Sequence, residues 1–359
     1  MSNQNRDGLW LAAAGVGALV AARALLRKWR EYDLREKVVL ITGGSRGLGL
    51  VLAREMAEQG ASLAICARDV DELERARADL LRRGARVVAV PCDVTDREQV
   101  REMIDVVTEH FGRIDVLVNN AGVIQVGPVE VMTLEDYEQA MNVHFWGPLY
   151  TTLAVLPQMR RRREGRIVNI SSIGGKISVP HLLPYSASKF ALVGLSEGLR
   201  AELAKDRIVV TTVCPGLMRT GSPRNANFKG QHRAEYAWFS ISDSLPVTAM
   251  QAERAARQIV EACRRGDAEI VLSVQAQLAV RFHGLFPGLT QDLLGFVNRL
   301  LPAPGGIGRK RAKGKDSASS LSPSWLTTLT EWAAQRNNEM QTGISHRGTE
   351  IVEETRQRG

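Results

Sequence analysis

Tyr185 and Lys189 stand four residues apart in the run Pro184-Tyr-Ser-Ala-Ser-Lys, and Ser172 lies thirteen residues before the tyrosine. If the run is helical, the two side chains share one face and an ammonium sits beside a phenol. A phenol ionises near about pKa 10, and a cation held close favours the phenolate. Such a tyrosine exchanges a proton with an alcohol or a ketone, while the Ser172 hydroxyl can hydrogen-bond the same substrate oxygen as charge develops there. The spacing alone also describes an ordinary amphipathic helix with a surface lysine, so the surrounding elements must decide.

Those elements alternate. Val38 to Thr42, Ser62 to Cys66, Arg86 to Val90, Ile114 to Asn119, Arg166 to Ser171, Ile208 to Cys214 and Glu269 to Leu272 read as seven strands. Most are nearly continuous apolar runs, as parallel strands covered on both faces require. Leu48 to Gln59, Val70 to Arg82 and Arg97 to Phe111 between them carry helical periodicity. The expected fold is α/β, a doubly wound parallel sheet of the Rossmann type, with its ligand beyond the carboxyl ends of the strands. Ser172 would stand at one of those ends.

The first strand runs into Thr42-Gly43-Gly44-Ser45-Arg46-Gly47-Leu48-Gly49, followed by a helix. Glycines let a backbone turn tightly against a pyrophosphate, and the helix N-terminus offers amides and a favourable dipole. The spacing is neither Gly-x-Gly-x-x-Gly nor the phosphate loop ending in Gly-Lys-Ser/Thr.

Composition bounds the rest. A chain of 359 residues with 44% hydrophobic and 5% aromatic residues suits a packed α/β domain with appended segments. Cys66, Cys92, Cys214 and Cys263 are scattered without a Cys-x-x-Cys pair and read as buried thiols in a reducing compartment; no metal site is expected. The net charge of +8 lies largely in Arg23 to Lys37, Arg160 to Arg163 and Arg309 to Lys315, without interleaved aromatics or a nucleic-acid module. Solvated or lipid-facing charge explains it better than a nucleic-acid partner.

Residues 1–36 contain the apolar stretch Leu9 to Leu26, broken only by Arg23 and followed by basic residues. It is long enough to span a bilayer, and its basic C-terminal flank places the remainder on the cytoplasmic side. An N-terminal core helix is the alternative. Residues 37–275 form the catalytic domain, in which Gly216 to Met250 has little regularity and reads as a lid, with Phe228, Trp238 and Phe239 at a hydrophobic substrate mouth. Residues 276–302 are apolar but broken by Pro287 and glycines, and three readings stand: lying on a membrane surface, lining the mouth or completing the core. Residues 303–359 are basic and expected to be flexible, with one short helix around Trp325 to Gln335.

With Asn119-Asn120-Ala121-Gly122 after the fourth strand, Asn142 in Met141-Asn-Val-His, Pro215-Gly216 after the sixth strand and Thr220 beyond, the chain resembles the short-chain dehydrogenases/reductases from Lys37 to about Leu272. The resemblance implies that Tyr185 is the proton donor and acceptor, that Lys189 lowers its pKa and binds the nicotinamide ribose, that Ser172 orients the carbonyl and that Asn142 holds a water linking Lys189 to solvent. It further implies cofactor contacts from Gly43, Ser45, Arg46, Gly47, Leu48, Gly49, Arg68, Asp93, Val94, Asn120, Ala121, Gly122, Pro215, Gly216 and Thr220, with Asp93 accepting the adenine amino group and Asn119 in a structural role. It implies a homo-oligomer as well.

Where users of NAD carry an acid at the end of the second strand, this chain has Ala67 followed by Arg68. Arginine meets a 2′-phosphate, and Arg46 adds a second cation, so NADP(H) is favoured over NAD(H). The alternative is that Arg68 faces solvent and Asp69 takes the ribose. The expected activity is interconversion of an alcohol with a ketone or aldehyde on a small hydrophobic substrate. A membrane-tethered NADP-binding scaffold or sensor without turnover is the alternative function.

Overall fold

The computed structural model describes residues 31–245, 249–319, 322 and 327–340, together with Gly15 and Gly17. The run from Leu9 to Leu26 lies outside that set, apart from those two glycines. Among the described residues no helix is long and apolar enough to cross a membrane.

Strand β1 (Val38–Thr42) is wholly buried and apolar apart from its last residue. Its side chains alternate between two faces, as the strand period dictates. Val39 and Ile41 enter one core with Leu50, Val51 and Met56 of helix α1 (Gly47–Glu58), while Val38 and Leu40 enter a second core on the opposite face. The other parallel strands are β2 (Ser62–Ala67), β3 (Val87–Pro91), β4 (Val116–Asn119), β5 (Gly165–Ile170), β6 (Ile208–Cys214) and β7 (Glu269–Val271), in the spatial order β7-β6-β5-β4-β1-β2-β3. Helices α2 (Val70–Arg82) and α3 (Arg97–Phe111) begin at Asp69 and Asp96, whose carboxylates accept from Glu72 N and from Glu98 and Gln99 N. Caps of this kind stabilise a helix by about 1 kcal/mol and fix where it starts.

Strand order reverses between β1 and β4, which opens a crevice at their carboxyl ends. The glycine turn, Asn120, Ser172 and Pro215 all leave strands at this edge. Helices α4 (Leu134–Met141), α5 (Gly147–Arg162) and α6 (Leu183–Leu203) cover one face, with Val155 and Met159 of α5 against Ile167 and Val210. The four cysteines are free and buried.

The segment read as irregular contains a thirteen-residue helix, α7 (His232–Ser244). Serines obscured its periodicity, since they favour turns and caps over helix interiors. Here Ser240 and Ser242 turn their hydroxyls back onto the Tyr236 and Trp238 carbonyls, 2.6 and 2.8 Å away. Helix α8 (Ala252–Arg265) then packs against α1.

After β7 the chain forms α9 (Val274–Leu285) and α10 (Pro287–Asn298), a hairpin whose buried residues are Ala276 and Thr290. It neither completes the core nor lines the crevice. Of the tail expected to be flexible, the described residues are held against the domain. Ala312–Lys313 pairs antiparallel with Asn227–Phe228, and Arg311 joins Lys229 on the buried Asp136 carboxylate. Helix α11 (Thr328–Arg336) rests on α7. Buried ion pairing, invisible in the basic composition, accounts for the difference.

Candidate active site

Pro184 opens α6, where its fixed φ and missing N–H suit the first turn. Tyr185 and Lys189 then project side by side, with the Lys189 Nζ 5.7 Å from the centre of the tyrosine ring and hydrogen-bonded to the Ile170 carbonyl at 2.8 Å. Below them Asn169 of β5 joins Asn119 at 2.9 Å and Ser196 at 3.1 Å, and Ser171 donates to the Lys189 carbonyl at 3.0 Å. This buried polar network bolts α6 to the sheet. Asn119 belongs to it rather than to the crevice, in agreement with a structural role.

The Ser172 hydroxyl accepts from Gly174 N at 3.0 Å and, beside Tyr185 on the wall of the crevice, favours ionisation of its phenol. Burial pushes the phenol up to about 12 against the opposing effect of Ser172, and burial brings the Lys189 ammonium down to about 7. Expectation and structure part here: desolvation, not the neighbouring lysine, sets the tyrosine's ionisation in this structure. The two shifts move the proton affinities of phenol and ammonium apart, so that near neutrality the tyrosine keeps its proton for donation while the lysine titrates.

A second correction concerns Asn142. The chain winds as a π-helical turn over Asn142–Trp146, which leaves Asn142 exposed outside the crevice and turns His144 inward. His144 is fully buried, and its ring meets Tyr185 edge-on at 5.4 Å. A helix-period reading cannot anticipate the extra residue of a π turn, a feature often found at functional sites.

The crevice has a volume of about 700 Å³. Ser172, Tyr185 and Lys189 line it, as does every cofactor-binding residue expected from sequence. A Cβ on Gly49 would sit 2.1 Å from the Gly43 carbonyl oxygen, so the turn admits no side chain there. At the adenosine end Arg46 pairs with Glu72 at 2.6 Å and Arg68 approaches Asp93 at 3.7 Å. A glycine turn at a helix N-terminus, cations beyond it and a phenol–ammonium pair at the far end fit a nicotinamide dinucleotide.

Several residues at this site carry no signal in the sequence. Tail residues 337–339 lie on the glycine turn: the Asn337 carbonyl accepts from Gly47 N at 2.9 Å, and Asn338 donates to the Ser45 and Glu72 carbonyls, both at 2.8 Å. Glu339 accepts from Gly221 N at 2.8 Å and from Asn225 at 2.9 Å, and burial raises its carboxyl to about 7. Asp243 of α7 also faces the crevice, its carboxyl pushed up to about 8 by burial. Trp238 and Phe239 line the substrate end, and Glu235 fixes the first by accepting from its indole N–H at 2.7 Å while bonding His181 at 2.8 Å. Phe228, expected at the mouth, instead sits in the lid's own core against Tyr236 and Phe239.

Comparison with known proteins agrees with this geometry. The model of the short chain dehydrogenase family matches residues 37–229. A dehydrogenase/reductase SDR family protein 7-like of Anopheles gambiae is 40% identical over 61% of this chain and 71% of its own. A short-chain dehydrogenase/reductase of Burkholderia phymatum in complex with NAD superposes with a TM-score of 0.67 at 27% identity, over 72% of this chain and 96% of that one. An actinorhodin polyketide ketoreductase variant with NADPH gives 0.60 at 30% identity, over 66% and 95%. A family match across more than half the chain, on a sheet and crevice of this form, makes the protein a member of the short-chain dehydrogenase/reductase family, an oxidoreductase of alcohols and carbonyls.

Proposed function

We propose that the protein is an NADP(H)-dependent oxidoreductase that interconverts a hydrophobic alcohol with its ketone or aldehyde. The observation that carries this reading is the meeting of Ser172, Tyr185 and Lys189 on the wall of one crevice, with the Lys189 Nζ 5.7 Å from the centre of the tyrosine ring. In the reducing direction both hydroxyls reach one carbonyl oxygen, Ser172 orienting it and Tyr185 delivering its proton as negative charge builds there. Lys189, with its ammonium near neutrality, stabilises the phenolate that remains. The bound nicotinamide supplies the hydride.

The preference for NADP(H) rests on Arg46 and Arg68 at the adenosine end, and on Asp69, whose carboxylate is engaged in capping α2. Hydrophobic substrates are supported by Val179, Leu182, Trp238 and Phe239 along the crevice. A panel of ketones and aldehydes, followed by loss of NADPH absorbance, tests the reading. Tyr185→Phe is expected to lower turnover by at least about a thousandfold, roughly the scale of a lost proton-transfer group. Unchanged turnover sinks the mechanism, and NADPH binding without reduction of any compound returns the scaffold reading.

Leu9 to Leu26 and the basic residues Arg27, Lys28 and Arg30 support a membrane anchor with the catalytic domain in the cytoplasm. Extraction of the full chain from membranes by detergent but not by alkaline carbonate is the expected result. Self-association, proposed on family grounds, is checked by light scattering in detergent.

A further inference from the structure

The hairpin of α9 and α10 presents an apolar surface that nothing among the described residues covers. Leu278, Phe282, Leu285, Phe286, Leu289 and Phe296 are each between 40% and 73% exposed, and only three formally charged residues, Arg281, Asp292 and Arg299, lie between positions 274 and 299. Soluble chains rarely leave contiguous apolar patches beyond a few hundred Å² without a partner. We propose that this hairpin docks into a phospholipid bilayer, its apolar side chains among the acyl chains and its arginines at anionic headgroups.

Two observations favour lipid over a second copy of the chain. The charges on the hairpin sum to a net positive value, which complements an anionic lipid surface and opposes its own duplicate. The hairpin also leaves the domain directly after β7, at Ser273, and Glu31 and Tyr32, which follow the apolar N-terminal run in the sequence, meet the domain just before β7, where Tyr32 N bonds the Arg264 carbonyl at 2.9 Å and Arg264 pairs with Glu31 at 3.1 Å. Strand β7 is three residues long, about 10 Å. Residues 31–32 and the start of the hairpin therefore stand at the two ends of one edge strand, which places the hairpin within reach of a bilayer engaged by the proposed anchor. Amphipathic and apolar helices of this length lie in the interface rather than cross it. The proposal extends the anchor reading but does not depend on it, because the hairpin surface stands without residues 9–26.

The four native cysteines are buried, so one introduced at Leu289→Cys can be labelled selectively with an environment-sensitive fluorophore in the full chain. The protein is reconstituted in vesicles of phosphatidylcholine and phosphatidylglycerol, and nitroxides on the acyl chains are compared with aqueous iodide as quenchers. Nitroxide is expected to lower the Leu289→Cys signal at least about twofold while iodide leaves it unchanged, and a control label at Leu81→Cys on α2 is expected to respond to iodide alone. Iodide quenching at Leu289→Cys overturns the proposal. So does insensitivity to both quenchers, which would place protein over the hairpin, either a second copy or the chain's own N-terminal run. Vesicle flotation of the same sample reports separately whether the chain is anchored at all.

Discussion

The Nδ1 of His144 lies 2.7 Å from the Ser188 hydroxyl, inside the turn of α6 that separates Tyr185 from Lys189. Its other ring nitrogen accepts from Val123 N at 3.1 Å, so the ring proton resides on Nδ1 and is donated to Ser188, which donates in turn to the Tyr185 carbonyl at 2.8 Å. Burial first, and then Lys189, hold this imidazole well below its usual range, so it stays neutral. His144 thus acts as a positioning residue that ties the loop after β4 to the catalytic helix. His144→Ala is expected to lower kcat about tenfold or more with a small change in KM, and to cost roughly 1–3 kcal/mol of stability through the polar groups left unpaired. His144→Asn, which can both accept and donate, should recover part of each. An unchanged kcat in the alanine variant removes the positioning role.

Lys189 exposes a conflict between stability and chemistry. Its pKa falls from the usual lysine value to about 7 on burial, so between pH 7 and about 10.5 the unfolded chain binds a proton that the folded chain does not. Stability contributed by this group therefore rises with pH across that window and is lowest, and flat, below it. Lys189→Met is expected to abolish turnover yet stabilise the fold at pH 7 by an amount on the order of 3 kcal/mol, reduced by the hydrogen bond lost at Ile170. Denaturant melts at pH 7 and pH 10 check the sign: the gain should shrink at the higher pH.

Glu339 puts a carboxyl beside the amides of the glycine turn, where a pyrophosphate is also negative. With its pKa raised to about 7, the group is largely neutral at pH 6 and largely charged at pH 8. Affinity for NADPH should weaken over that interval by up to about tenfold, or ~1.4 kcal/mol, and Glu339→Gln should flatten the dependence while binding more tightly at pH 8. Titration calorimetry at the two pH values measures it; a glutamine variant with the wild-type pH slope contradicts the argument.

Arg68 is 61% exposed and 3.7 Å from Asp93, not locked in an internal pair, and the proposed preference for NADP(H) assigns it the ribose phosphate. Arg68→Asp is expected to raise KM for NADPH by about thirtyfold, equivalent to a charge-assisted hydrogen bond of ~2 kcal/mol, with KM for NADH moving far less. Equal effects on the two cofactors would show that the guanidinium does not read the phosphate.

The sequence carried the sheet and the crevice because both follow from local rules. Continuous apolar runs fixed β1 to β7 within two residues at either end, helical periodicity marked the helices between them, and glycines announced the turn. Chemistry at Tyr185, Lys189 and Ser172 was legible because four residues of helix and one strand end suffice to bring them together. What failed depended on events those rules do not encode. One π turn exchanged Asn142 for His144, serine back-bonding hid α7, and Phe228 went to the lid core because Tyr236 and Phe239 stand ready to stack on it. Asn337, Asn338 and Glu339 reach the glycine turn from nearly three hundred residues away, and no local pattern foretells a contact of that span.

That distant contact orders events on the ribosome. Gly47 emerges with the first strand, but the carbonyl that meets its amide belongs to Asn337, far later in the chain than the last strand of the sheet. A nascent chain can assemble the sheet and offer an open groove to coenzyme before Asn337 is made, whereas closure over the diphosphate end must await it. Removing residues 337–339 should therefore leave a folded, exposed binding face instead of an unfolded product.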